Sequence, residues 1–249
     1  MDFVWAVVYP LQGKRWYLRL PLLTAAVLIP IVGILIGLNY IVRSIRRIAD
    51  GNYEPPDFTF EMSEHGLYLL GSTIAHVLAW GIVAVPVEDI LTRLNASDVT
   101  EGHVLGLLFV PVALHFFMGG IRYALFNDPR AMFEVRHNTR LIWRNKWPMT
   151  QSIIHAMLYI AATAGVIWGS VLVLYLMGMH DFEENEGTIL HFAIFTVVLL
   201  ITFFGMPVCG AGYLLGQLAR RMDLGDEKGK RKNDMLYAPR AEPEKQKAG

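Results

Sequence analysis

The sequence predicts an all-α protein, a polytopic membrane helix bundle with amphipathic helices at the membrane surface. Five long stretches contain no Asp, Glu, Lys or Arg, and each is long enough to cross a bilayer as a helix, which takes roughly 20 residues. Only 18% of the residues are charged and 54% are hydrophobic, whereas a soluble domain is about 25% charged. The five stretches are residues 20–42, 66–87, 102–121, 147–180 and 187–219.

Charge in the links between these stretches predicts an orientation. The link 122–146 carries six cations against two acids, and the chain beyond residue 219 opens with Arg220 and Arg221. The links 88–101 and 181–186 carry four acids each, and Arg93 is the one cation in either. By the positive-inside rule, the basic links and the C-terminus are cytoplasmic and the acidic links lie on the other side.

The first apolar stretch has a path that the sequence leaves open. A stretch of this length normally spans, and we expect it to do so. Spanning would put the cations Lys14, Arg15 and Arg19 outside, against the charge rule. Pro30 and Gly33 also interrupt its middle, because proline removes a backbone donor and glycine weakens a helix. A re-entrant hairpin with both ends inside is the alternative.

Three further segments adjoin the apolar stretches. Residues 1–20 mix aromatic side chains with cations, which predicts an interfacial segment in the headgroup layer. Residues 21–222 form the predicted transmembrane domain, and the polar residues 223–249 a disordered cytoplasmic tail. The elbow, residues 128–147, is predicted to be a second interfacial helix that anchors two helices or docks anionic lipid or a partner. Its predicted apolar face consists of Met132, Val135, Thr139 and Ile142.

Histidines inside the apolar stretches are the candidate chemistry of the chain. They are His76, His115, His155 and His191. His76 and His115 fall near mid-depth of neighbouring helices, where they can face each other, whereas the other two lie near opposite membrane faces. A facing pair of neutral imidazoles could bind a haem iron or, singly, the magnesium of a chlorophyll-type pigment. The alternative is that each histidine hydrogen-bonds across helices or sits at an interface.

The apolar stretches lack the residues that several functions need. Ion-coupled carriers hold acidic or basic groups in their core, whereas here Glu88, Asp89 and Arg122 lie at segment ends. No paired carboxylates, HExxH or GxSxG occur within the stretches, so we expect neither catalysis nor a metal site. A net charge of zero gives no reason to expect a nucleic-acid partner.

Glycines at GxxxG spacing occur in four places along the apolar stretches. The pairs are Gly33 and Gly37, Gly102 and Gly106, Gly165 and Gly169, and Gly212 and Gly216. This spacing lets two helices approach closely, and we expect it to serve packing within the bundle. The glycine-rich run 205–212 contains Pro207 and predicts a kink in the fifth stretch, with a pore gate as the alternative.

The N-terminal third of the sequence carries a recognisable order of residues. It reads Tyr9-Pro10, Trp16, Ile29-Pro30-Ile31-Val32-Gly33, Gly37, Tyr40, Arg43, Arg47, Gly51 and Pro55-Pro56-Asp57-Phe58, with Arg122-Tyr123 and Leu215-Gly216-Gln217 further on. This order resembles the prokaryotic membrane proteins grouped as domain of unknown function 4013, over roughly residues 3–220. The short outer loops and the intramembrane histidines depart from that family. The resemblance implies a prokaryotic plasma membrane and supplies no catalytic residues.

These observations favour a non-enzymatic membrane protein, an accessory or scaffold subunit of a larger assembly. Its expected partners are membrane lipids and a second membrane protein or further copies of the chain. A channel or passive carrier for a small solute is one alternative, suggested by the kink-prone glycines and proline of the first and fifth stretches. A haem- or pigment-binding subunit, using His76 and His115, is the other.

Overall fold

The computed structural model describes residues 3–13, 15–58, 64–176, 196–197 and 199–224, and these residues form helices joined by short turns, without a strand. The α-helices are α1 Phe3–Val8, α2 Trp16–Val27, α3 Val32–Ala49, α4 Glu64–Arg93, α5 Asp98–Phe126, α6 Val135–Arg144, α7 Lys146–Leu176 and α8 Met206–Arg221. Two 3-10 turns, Tyr9–Leu11 and Pro129–Met132, and a π-helical turn, Ile201–Gly205, complete the described elements.

Three helices are long and apolar enough to span a membrane: α4, α5 and the part Lys146–Ser170 of α7. They correspond to the second, third and fourth apolar stretches, so the predicted all-helical membrane architecture is confirmed to that extent. Five spanning segments are not confirmed. The fifth stretch lies partly outside the described residues, and the acidic link 181–186 and residues 225–249 of the predicted tail lie wholly outside them.

The first apolar stretch is divided between two helices and is not one continuous helix. The chain turns between α2 and α3, where Pro30 precedes Ile31 in a positive-φ conformation at φ 65°. A Cβ added at Gly33 would overlap the carbonyl oxygens of Ala26 and Val27, so the two helices touch beside the turn. Only glycine permits this close approach. The stretch is therefore not a single continuous helix but a helical hairpin, the geometry that the re-entrant alternative requires.

Both ends of this hairpin lie at one end of the bundle. Arg19, at the start of α2, donates to the carbonyl oxygen of Gln12 at 2.6 Å, and its guanidinium lies beside Gly13. Pro55, which follows α3, lies beside the same glycine and accepts a hydrogen bond from Arg47 near the end of α3 at 3.0 Å. The start of α2 and the end of α3 thus meet around one loop, so the two helices are antiparallel.

Helices α3 and α8 lie side by side at the centre of the structure. Their facing pairs are Gly37 with Val208, Ser44 with Gly212, and Ile48 with Gly216. Residue numbers rise together along both helices, so the two run parallel. A Cβ at Gly212 would lie 2.7 Å from the Cβ of Ser44, and one at Gly216 would lie 2.8 Å from the Cβ of Ile48. Two of the four GxxxG pairs therefore serve packing within the bundle, as expected.

The other two GxxxG pairs make no such contact within the described part of the chain. Added Cβ atoms at Gly102 and Gly106 on α5, or at Gly165 and Gly169 on α7, would meet no atom of the described residues within 4 Å. Packing of these two pairs within the bundle stays a prediction, because residues 177–195 and 198, which include part of the fifth stretch, lie outside the described residues.

The kink predicted in the fifth stretch appears as the π-helical turn before α8, and Pro207 lies in the first turn of α8. The glycines of this region are tightly packed. A Cβ at Gly205 would overlap the side chain of Thr24, and one at Gly210 the ring of Tyr159. The Tyr159 hydroxyl also donates to the carbonyl oxygen of Met206 at 2.7 Å. Such contacts are typical of a packing site and not of an open gate.

The helix ends that carry the cations converge at one end of the bundle. Arg46 on α3 donates to the carbonyl oxygen of Ala124 near the end of α5, and at 3.1 Å to the side chain of Asn127. Burial lowers the pKa of Arg46, although a guanidinium stays protonated in proteins. Arg144 at the end of α6 forms an ion pair of 2.6 Å with Asp223, just beyond α8. These are the ends that the charge rule assigns to the cytoplasm.

The N-terminal segment contributes to the core as well as to the surface. Trp5 and Trp16 are exposed, as expected of an interfacial segment, but Ala6 and Tyr9 are fully buried. The ring of Tyr9 lies 4.8 Å from that of Tyr213 on α8. The described part of this segment is thus packed against the helical domain through Ala6 and Tyr9 and does not only expose aromatic side chains.

Candidate functional site

His76 on α4 and His115 on α5 are in direct contact. Their Nε2 and Nδ1 atoms, respectively, lie 2.9 Å apart, which is hydrogen-bonding distance, and the ring centroids are 5.2 Å apart. The two residues therefore face each other, as their matched depths in the sequence allow.

The remaining contacts determine which nitrogen carries each proton. The Nδ1 atom of His76 lies 2.7 Å from the carbonyl oxygen of Ser72, one turn earlier on α4. A carbonyl oxygen only accepts, so this Nδ1 must be protonated, and Nε2 of a neutral His76 is then an acceptor. It follows that His115 donates from Nδ1 to His76 and accepts at its own Nε2.

Asn138 on α6 supplies the donor that His115 requires. Its amide nitrogen lies 3.2 Å from Nε2 of His115 and donates to the carbonyl oxygen of Ala131 at 2.9 Å. Its amide oxygen accepts from Arg122 at 2.8 Å. Because Arg122 can only donate and the Ala131 carbonyl can only accept, the Asn138 amide has one possible orientation. The direction of every hydrogen bond in the series is therefore determined.

Arg122 lies at the end of the series opposite to Ser72 and holds Asn138 in place. The residue is 4% exposed, and its guanidinium forms an ion pair of 2.7 Å with Glu134. This arginine at a segment end is thus buried within the protein, because α6 and the preceding 3-10 turn fold over it. The histidine relay, defined here as Arg122, Asn138, His115, His76 and Ser72, therefore connects three helices.

The elbow contains a helix but not the face that was predicted. The 3-10 turn ends at Met132, and α6 begins only at Val135. This break shifts the helical phase, so Val135 and Thr139 point outward while Asn138 and Leu141 are buried. Sequence reasoning missed Asn138 and Glu134 as site residues. A polar residue in a link reads as a surface residue, and no local signal indicates its distant partner.

An apolar recess adjoins the two histidines. It has a volume of about 380 Å³, and its lining includes Ala75, Ala79, Pro111, Val112, Phe133, Val135 and Thr139 besides the histidines. The Phe133 ring is stacked on that of His76 with centroids 5.9 Å apart. Because the imidazole nitrogens hydrogen-bond to each other and to the relay, the recess presents mainly carbon to an occupant.

The arrangement does not suit haem or a chlorophyll-type pigment. A bond from imidazole nitrogen to a metal is about 2 Å long, as in zinc sites, so two nitrogens on opposite sides of one iron stand about 4 Å apart. The facing nitrogens are 2.9 Å apart and share a proton. The other nitrogen of each ring is held by Ser72 or Asn138. Within the described residues, no group of three or more His, Cys, Asp or Glu is placed to hold a metal ion.

The other histidines lie apart from the pair. His155 on α7 contacts the carbonyl oxygen of Gln151 one turn earlier, and His191 lies outside the described residues. His65, at the start of α4, contacts the Tyr123 hydroxyl at 2.7 Å and Arg46 at 3.3 Å. These three residues form a second cluster, which connects α3, α4 and α5 apart from the relay.

Comparisons with known proteins add nothing to this picture. No family model matches the chain, and neither a curated protein nor a solved structure gives a significant match. The resemblance to domain of unknown function 4013 therefore remains a prediction from the sequence.

Proposed function

We propose that the protein is a non-enzymatic accessory or scaffold subunit of a membrane complex, and that its long helices bind helices of a partner or of further copies. In this proposal it resides in a prokaryotic plasma membrane with its C-terminus in the cytoplasm. The charge rule and the convergence of basic helix ends support the orientation.

The proposal rests on the glycine pairs of α5 and α7, at positions 102 and 106 and at 165 and 169, which no described residue covers. In the most apolar 18-residue windows of α4, α5 and α7, only 11%, 17% and 12% of the residues are buried. Lipid alone would account for apolar exposure. Contact with lipid does not require glycines spaced four residues apart, and each such glycine costs about 1 kcal/mol relative to alanine within a helix. Contact with a partner helix explains the spacing, since GxxxG allows two helix backbones to approach closely.

Bulky substitution of these glycines tests the proposal. Gly102→Leu/Gly106→Leu and Gly165→Leu/Gly169→Leu place side chains where no described residue lies within 4 Å of the new Cβ atoms, so we expect the fold to survive and partner binding to be lost. Gly71→Leu/Gly81→Leu is the matched control, because these glycines are also open but lack the spacing. Partners retained after purification in mild detergent would be quantified by mass spectrometry. The proposal is wrong if the wild-type protein is recovered only as an isolated monomer.

The two alternatives have less support. A channel or carrier was suggested by the kink-prone segments, but the glycines of both segments that the structure describes pack against neighbouring helices. A haem or pigment subunit would need the paired histidines to separate and abandon their other partners. Solute flux in proteoliposomes and the visible absorbance of purified protein test these two alternatives.

A further inference from the structure

A second recess lies next to the apolar recess, on the outer side of the elbow. This polar recess has a volume of about 500 Å³ and is lined by Glu134, Val135, Arg136, His137 and Arg140. Val135 lines both recesses. A polar cavity with cations therefore adjoins an apolar cavity, the layout that an amphiphilic molecule requires.

The charge in the polar recess is unbalanced. Glu134, the carboxylate of this lining, forms its ion pair with Arg122, which does not line the recess. Arg136 and Arg140 are exposed and form no hydrogen bond or ion pair with any residue that the structure describes. They lie one turn apart on α6, where like charges repel. A bound anion would relieve this repulsion, and the positive end of the α6 dipole at the same recess would add to its attraction.

The outer face of α6 is suited to the headgroup layer of a membrane. Asn138 and Leu141 point into the bundle, so Arg136, Arg140 and Trp143 fall on the opposite side of the helix. Trp143 is 71% exposed. Tryptophan beside cations is typical of the membrane interface, where the ring contacts lipid and the cation contacts phosphate.

We infer that the elbow binds one anionic phospholipid, with its phosphate at Arg136 and Arg140 and an acyl chain in the apolar recess between α4 and α5. Guanidinium groups bind phosphate oxygens through paired, charge-assisted hydrogen bonds. The carbon lining of the apolar recess explains why the occupant is a lipid and not a free anion. The inference does not depend on the proposed function.

The test uses the full-length protein, purified in a nonionic detergent and stripped of lipid. Phosphatidylglycerol and phosphatidylcholine with identical acyl chains are titrated, and bound lipid is measured by native mass spectrometry. We expect phosphatidylglycerol to bind at least tenfold more tightly. Arg136→Gln/Arg140→Gln should remove this preference, whereas Arg15→Gln/Arg130→Gln, which deletes the same charge elsewhere on the surface, should keep it.

The acyl-chain part is tested separately. Ala79→Phe fills the apolar recess and should weaken binding of both lipids at least tenfold, with Ala79→Ser as a control that leaves the space open. Full competition by millimolar inorganic phosphate, with no effect of Ala79→Phe, would show a free-anion site and overturn the lipid assignment. Equal binding of phosphatidylglycerol to wild type and Arg136→Gln/Arg140→Gln would overturn the headgroup assignment.

Discussion

His76 and His115 are joined by a hydrogen bond of 2.9 Å between α4 and α5, and neither ring has a nitrogen that is free of a partner. The bond is directional, because Ser72 accepts at one end of the pair and Asn138 donates at the other. The pair is thus one unit whose proton positions depend on Asn138, and Asn138 is in turn oriented by Arg122.

The first prediction concerns the protonation of this pair. We expect each imidazole to carry its proton on Nδ1, because the opposite tautomer of either ring would set two donors or two acceptors against each other along the relay. Side-chain nitrogen NMR of ¹⁵N-histidine-labelled protein distinguishes the two tautomers, and His76→Gln and His115→Gln assign the signals. A proton on Nε2 of either ring would contradict the relay as described.

The second prediction concerns Asn138. Asn138→Leu should destabilise the protein by about 2–4 kcal/mol, since in a buried site it removes the acceptor of one Arg122 hydrogen bond and the donor to Nε2 of His115. The exposed neighbour Thr139 provides the control, and Thr139→Val should change stability by less than about 0.5 kcal/mol. Unfolding in mixed micelles of rising SDS content measures both. Equal stability of the two variants would show that the relay contributes nothing.

The spans and the histidine pair could be predicted because both follow from one-dimensional patterns. Long runs without charge identify α4, α5 and α7, since a helix in lipid must satisfy its backbone internally and expose apolar side chains. Counting residues from the ends of the second and third apolar stretches places His76 and His115 at similar depth in the membrane. Neither inference needs knowledge of a distant contact.

The partners of the pair could not be predicted in this way. Asn138 lies 23 residues after His115, in a link whose helical phase changes at the break before Val135. A periodicity counted across that break assigns the wrong face. The path of the first stretch likewise depends on remote contacts: Pro30 indicates a break, but the contacts of Arg19 and Pro55 around Gly13 show that the chain folds back.

The third prediction separates the packed glycines from the open ones. Gly216→Ala should destabilise the protein by about 1–3 kcal/mol, because the new methyl group would lie 2.8 Å from the Cβ of Ile48. Gly165→Ala meets no atom of the described residues within 4 Å and should stabilise α7 by about 0.5–1 kcal/mol. The same SDS titration compares them. A stabilising effect of Gly216→Ala would contradict the close packing of α3 on α8.

The fourth prediction concerns the hairpin of the first apolar stretch. If α2 and α3 form a hairpin in the membrane, residues before and after it are accessible from the same side. The native Cys209 is fully buried, so single cysteines introduced as Trp16→Cys, Glu54→Cys and Leu94→Cys can be labelled with little background. These positions are exposed, and Leu94 lies in the loop between α4 and α5.

We expect a membrane-impermeant thiol reagent to label Cys variants at positions 16 and 54 in inside-out vesicles and the variant at position 94 in right-side-out vesicles. Wild-type protein, which should remain unlabelled in both, controls for Cys209. Labelling of Trp16→Cys from the same side as Leu94→Cys would mean that the stretch spans the membrane. In that case Arg19 and Pro55 would lie on opposite sides, and their common contact with the Gly13 loop would have to be absent in the membrane.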